Sequence, residues 1–159
     1  MKFTVIAVGK ITISYCKEGI QEYVKRLRPY ANLEIVEVGE EKRGDRPSET
    51  DRFAMVDAEG EKVLKRIKSG AFVVLLDVHG KAMSSEVLAT KIAELGLQGT
   101  SEMVFVVGGT YGVSMALRQR ANVLLSISPM TFTHQMARLI LLEQLYRACK
   151  INAKEPYHW

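Results

Sequence analysis

Cysteine is nearly absent. There are two in 159 residues, Cys16 and Cys149, both inside segments of helical pattern. Without a CxxC pair there is no metal ribbon, and two lone thiols build no disulfide framework, so a reducing cytoplasm is the expected compartment. Histidine is as scarce. His79, His134 and His158 fit neither HxH nor HExxH spacing, so no bound metal is expected. Long hydrophobic runs are missing too. The longest uncharged stretch, 121–137, is broken by Ser, Pro, Thr, His and Gln, which makes it too short and too polar to span a bilayer. The apolar run in MKFTVIAVGK is too short for a signal peptide and has no small-residue cleavage site. The first strand-like segment ends VGKIT, with a single glycine, so the GxGxxG dinucleotide fingerprint is absent, and so is a P-loop.

What is present describes an ordinary globular chain, 47% hydrophobic and 25% charged. No repeat, low-complexity tract or linker divides it, so residues 1–159 are expected to form one domain, which at this size buries about 70% of the unfolded chain's surface. The net charge is +4, and all of the excess lies at one end. Residues 1–109 hold sixteen basic and sixteen acidic residues, whereas 110–159 hold six basic against Glu143 and Glu155 alone. A polyanion met by the last third of the chain is compatible with this asymmetry, as is a merely soluble surface.

Strand and helix patterns alternate. Phe3–Val8, Leu33–Val38, Phe72–Asp77, Met103–Gly109 and NVLLSIS read as strands. The second alternates apolar and acidic residues like an edge strand, whereas the third and fourth are apolar nearly throughout and read as buried on both faces. Helical spacing covers Ile13–Arg28, about Asp51–Lys68 (weakened by Gly60), a segment capped by Ser84 or Ser85 and ending near Leu95, a short piece near Met115–Ala121, and about Gln135–Lys150. HGKAMSSE reads as a turn. The pattern predicts an α/β domain: a mostly parallel sheet of about five or six strands with helices on both faces.

In such sheets ligands bind beyond the carboxyl ends of the strands. Three of those ends stand out here: LLDVHG, VVGGTYG and SISPMTF. Gly108 and Gly109 let a ligand reach the backbone with no Cβ in the way, although a GGxxG alone is equally a tight strand-to-helix connection. Asp77 caps a turn or touches a ligand. Arg138 and Arg147 sit among apolar residues of the last helix, and Arg147 is four residues after Glu143, so each either pairs internally or contacts phosphate. Apolar residues of that helix, from Met136 to Cys149, cover more than one stripe, which predicts a second buried face and a homodimer. The tail EPYHW ends on two aromatics and a histidine, suited to stacking on a base or to anchoring the terminus.

Taken together, VIAVGK, LLDVHGKAMSSE, FVVGGTYG, SISPMTFTHQMARLILLEQLYRA and PYH resemble, end to end, the RlmH-type ribosomal RNA methyltransferases of the SPOUT class. The resemblance implies a C-terminal deep trefoil (SPOUT) knot, a homodimer and no metal. It also implies transfer of a methyl group from S-adenosyl-L-methionine to N3 of the pseudouridine at position 1915, in helix 69 of 23S rRNA, on assembled ribosomes. Alternative readings are a SPOUT enzyme acting on tRNA and a non-catalytic ribosome-binding factor. Carried onto this chain, the cofactor positions are Leu76, Gly108, Ile127, Ser128, Pro129, Met130, Thr131 and Phe132. His158, supported by Tyr157, is expected to bind the uracil-like ring and help its N3 proton leave, and Arg118, Arg138 and Arg147 are expected to contact rRNA. Two departures stand out: Thr133 where relatives often have proline before the histidine, and Trp159 where they often end on a basic residue.

Overall fold

A computed structural model describes residues 1–42 and 44–157. Five strands alternate with five helices: β1 (Lys2–Val8), α1 (Ser14–Leu27), β2 (Asn32–Val38), α2 (Glu49–Leu64), β3 (Phe72–Ala82), α3 (Ser85–Leu97), β4 (Glu102–Val107), α4 (Met115–Arg120), β5 (Val123–Ser126) and α5 (His134–Asn152). The sheet order is β2-β1-β4-β3-β5, and every pairing is parallel. The acidic-apolar strand β2 lies at an edge, as its alternation predicts.

Strand periodicity sorts the core into two layers. Phe3, Val5, Ala7, Met103, Phe105 and Val107 face one side, where they pack with α1, α3 and α5. Ile6, Val8, Val104 and Val106 face the other, against Val63 of α2 and Leu117 of α4. Both faces are therefore covered by helices. Four helices begin on a hydroxyl that accepts a backbone N–H: Ser48 from Asp51, Ser84 from Val87, Ser114 from Leu117 and Thr133 from Met136. Each such cap satisfies one of the donors that a helix start leaves open. Gly60 does more than weaken α2. A Cβ there would lie 2.3 Å from Ser114 Oγ, so the missing side chain is what lets α2 and α4 touch.

The structure corrects the reading of HGKA as a turn. After Leu76 the register against β5 slips, and Lys81 and Ala82 pair with Leu125 and Ser126, so β3 continues past an irregularity. Gly80 is required at this irregularity, because a Cβ would lie 2.6 Å from the Leu124 carbonyl. No period-2 alternation marks this stretch, since its length is set by the neighbouring strand. Helix α5 is also different from expectation. Its several apolar faces are largely covered by α1 and α3 of the same chain, and no residue from His134 to Ile151 is fully exposed. The breadth of its apolar surface therefore does not by itself require a second subunit.

Candidate active-site cleft

The irregular middle of β3 and the ends of β4 and β5 converge on one cleft of about 850 Å³, within the range of small-molecule sites. Its walls include Leu76, Gly108, Ile127, Ser128, Met130, Thr131 and Phe132. Seven of the eight positions picked from the sequence thus come together, and Pro129 is the one that does not line the cleft. Sequence reasoning missed Ile13, Thr110, Tyr111, His134 and Gln135, which line it as well. Thr110, Tyr111, His134 and Gln135 lie inside motifs that were recognised, FVVGGTYG and SISPMTFTHQMARLILLEQLYRA, so their neighbours in the chain were an available signal. Ile13 has none.

The turn after β4 is tight. A Cβ on Gly108 would meet Val113 Cγ1 at 2.6 Å and the Gly112 carbonyl oxygen at 2.9 Å. The loop after β5 is braced from within: Ser126 Oγ donates to the Ser128 carbonyl at 2.9 Å, and Met130 N–H donates to Ser128 Oγ at 3.0 Å. Among the described residues, 127–132 make no backbone–backbone hydrogen bonds. Apart from the Ser128 carbonyl and the Met130 N–H, which bond to serine hydroxyls, their backbone groups remain available to a ligand edge, which those of a regular strand would not be. Met130 is 75% exposed and Phe132 39%, so both are apolar surfaces without full cover.

Asp77 does cap a turn, and it also makes an ion pair at the cleft. It accepts the His79 N–H at 3.0 Å and Arg118 Nε at 2.8 Å. Burial alone would raise the carboxyl's pKa, but the His79 N–H and the Arg118 guanidinium outweigh it and hold the carboxyl below the usual range. Gln135 ties the start of α5 to the loop after β1. Its Oε1 accepts from Thr12 and Ile13 N–H at 2.9 and 3.0 Å, and its Nε2 donates to Thr12 Oγ1.

The three arginines expected to contact RNA have separate fates. Arg118 lines the cleft while paired to Asp77. Arg147 bonds Glu143 at helical i,i+4 spacing and lies 4.7 Å from the centre of the Tyr157 ring. Arg138 is a correction. It is 1% exposed, donates to Glu37 Oε1 at 2.5 Å and to the Gly9 carbonyl at 2.9 Å, and so presents no charge to a phosphate. A guanidinium attracts phosphate only where solvent and ligand can reach it.

Tyr157 does not line the cleft. It stacks edge-on to Tyr146 at 4.8 Å and donates to Glu143 Oε1 at 3.1 Å; burial and its neighbours raise its pKa far above the usual phenol value. Tyr146 lies twelve residues along α5 from His134, about 18 Å of helix axis. Tyr157 and the cleft therefore lie toward opposite ends of α5 within one chain. His158, the other expected catalytic residue, lies outside the described residues, as do Trp159 and Arg43. Among the described residues no group of His, Cys, Asp or Glu is arranged to hold a metal ion, and no helix is long and apolar enough to cross a membrane.

Residues 1–158 match the family model described as "Predicted SPOUT methyltransferase". The chain is 50% identical to the ribosomal RNA large subunit methyltransferase H of Clostridium novyi over 158 residues, 99% of each chain. It is equally similar to the protein of that name from Acetivibrio thermocellus, and 46% identical to the one from Bifidobacterium animalis subsp. lactis, again over 99% of both chains. A parallel α/β sheet with a cleft at its carboxyl ends, joined to a match along essentially the whole sequence, places this chain in the SPOUT methyltransferase family.

Proposed function

We propose that this protein transfers a methyl group from S-adenosylmethionine to N3 of a pseudouridine in helix 69 of the large-subunit rRNA, acting as a homodimer on assembled ribosomes in the cytoplasm. The observation that carries the proposal is the convergence of Leu76, Gly108 and the 127–132 loop on one cleft. Relatives at about 50% identity bear the name of a large-subunit rRNA methyltransferase, and this points to the substrate class. We further assign residues 1–159 to one domain, because α1 near the start and α5 near the end pack on the same sheet face. We place a trefoil knot in its C-terminal part, a reading that rests on membership of the SPOUT family.

The residues present suit the cofactor. The bare Cα of Gly108 accepts close approach. The backbone of 127–132, free of backbone–backbone hydrogen bonds, suits the donor-acceptor edge of adenine, and Leu76, Ile127, Met130 and Phe132 supply apolar walls for the ring. S-adenosylmethionine, when bound, supplies a sulfonium methyl that passes in line to the base nitrogen, its S–C electrons staying on sulfur. Catalysis by this chain is then mainly positioning, together with removal of the N3 proton. We assign that proton and the ring to His158, with Tyr157 in support. Because Tyr157 and the cleft lie toward opposite ends of α5, we assign the tail that completes a cleft to the second subunit. Arg118 and Arg147 remain as rRNA contacts.

The test is to map modified nucleotides on ribosomes from a strain lacking the gene, before and after adding purified protein and S-adenosylmethionine. An N3-methyl group appearing in helix 69 supports the proposal. Methylation of bulk tRNA instead would replace the substrate, and absence of cofactor binding by calorimetry would leave a non-catalytic binding factor.

A further inference from the structure

Beside the cleft lies a second cavity of about 470 Å³, at the carboxyl ends of β1 and β2. His134 and Gln135 line both cavities, so only the start of α5 separates them. The volume suits a nucleoside. Glu37 and Lys10 are among the residues around it, and Lys10 is exposed.

Glu37 is held in an unusual way. Its Oε1 accepts from Arg138, a guanidinium 1% exposed that also grips the Gly9 carbonyl at 2.9 Å and leaves its own Nε without a hydrogen-bond partner. Burying an arginine that deeply is expensive, and such a pair is weak evidence for stability. What it accomplishes is orientation. The Glu37 side chain keeps 38% of its surface, and its second oxygen accepts no hydrogen bond among the described residues. It is a solvent-accessible acceptor, held at one oxygen by a buried guanidinium, at the wall of a nucleoside-sized cavity next to the cofactor cleft.

Pseudouridine and uridine share the N3–H that is methylated. They differ on the neighbouring edge: pseudouridine is joined to ribose through carbon and carries a second donor, N1–H, where uridine placed in the same way shows only C5–H. We propose that the second cavity seats the target base, and that Glu37, oriented by Arg138, accepts N1–H and so selects pseudouridine over uridine. This rests on the proposed N3-methylation. With uridine in place, the Glu37 oxygen would be desolvated with no partner, the situation in which hydrogen-bonding sites discriminate best.

The experiment uses full-length protein and large ribosomal subunits reconstituted with uridine, pseudouridine or N1-methylpseudouridine at the target. Single-turnover rates are read alongside cofactor affinity. For the unaltered protein, pseudouridine should be methylated faster than uridine or N1-methylpseudouridine by roughly 10-fold to 100-fold, the range of a hydrogen bond to a charged group. Glu37→Gln keeps an oxygen for Arg138 but turns an NH₂ toward N1–H, so it should erase most of that preference while cofactor affinity stays unchanged. Rapid methylation of N1-methylpseudouridine by the unaltered protein overturns the inference without any variant having to fold. An undiminished preference in Glu37→Gln also overturns it. Failure of the unaltered protein to methylate any of the three removes the reading beneath it, and the inference with it.

Discussion

Arg118 Nε lies 2.8 Å from Asp77 Oδ2, joining the short helix α4 to the irregular middle of β3 at the cleft. The two residues are 41 apart in sequence. The bond gives the cleft a pH-sensitive support. Asp77 has a folded pKa below its ordinary 3.8, so its contribution is fully present above that value and is lost as the pH falls through the lower folded value. Denaturant midpoints measured from pH 6 to pH 3 should fall at the acid end in the unaltered protein and fall less in Asp77→Asn. The cost of Asp77→Asn at neutral pH should be about 1 kcal/mol, kept small because the Arg118 side chain remains 35% exposed.

Gly108→Ala should separate binding from folding. Its Cβ would overlap Val113 Cγ1 at 2.6 Å and press on the Gly112 carbonyl oxygen, moving the turn that forms one wall of the cleft. Calorimetry should show cofactor affinity reduced by roughly tenfold or more, while the thermal midpoint falls by only a few degrees, consistent with about 1 kcal/mol.

Arg138→Ala should behave as a core lesion. It leaves a cavity and a Gly9 carbonyl without its donor, while the part-exposed Glu37 is re-solvated, so the cost should be about 2 kcal/mol. The salt dependence of ribosome binding should not change, because a guanidinium out of reach of phosphate releases no counterions. Arg118→Ala should lower that slope. A lowered slope in Arg138→Ala would restore Arg138 to the RNA-contacting set.

Deleting residues 157–159 should spare cofactor binding and abolish methyl transfer, since Tyr157 lies far from the cleft of its own chain. Mixing tail-deleted protein with Gly108→Ala protein should then restore part of the activity, through dimers that combine one intact cleft with one intact tail. No recovery on mixing would place the functional tail in the same chain.

The thiols should be inert. Burial pushes Cys149 up to about 11, and Cys16 is fully buried with its Sγ 3.6 Å from Met136 Sδ. Reaction with a thiol reagent at pH 8 should be slow in the native protein and rapid for both cysteines in denaturant.

Much of the site was legible because its parts are strand ends. Buried apolar runs stopping at VVGG and SISPMTF mark where a parallel sheet opens to ligands, and the residues after each stop fall in the cleft whatever the details of packing. Gln135 and Arg138 were not legible. Both sit on a helix whose pattern reads as apolar surface, and their partners, Thr12, Gly9 and Glu37, are more than 100 residues away. Nothing local distinguishes an arginine that will meet phosphate from one that will be buried against an edge strand.

The sequence alone determined the local chemistry: apolar strand runs, hydroxyl caps at Ser48, Ser84, Ser114 and Thr133, and glycines where backbones come close. These depend on neighbours a few residues apart, and the energies involved are those of single turns and pleats. Tertiary structure decided the sheet order, the extension of β3 beyond Gly80, the burial of Arg138 and the distance between the tail and the cleft. These depend on which distant segments share a face, and that is set only when both layers of the core close over the sheet.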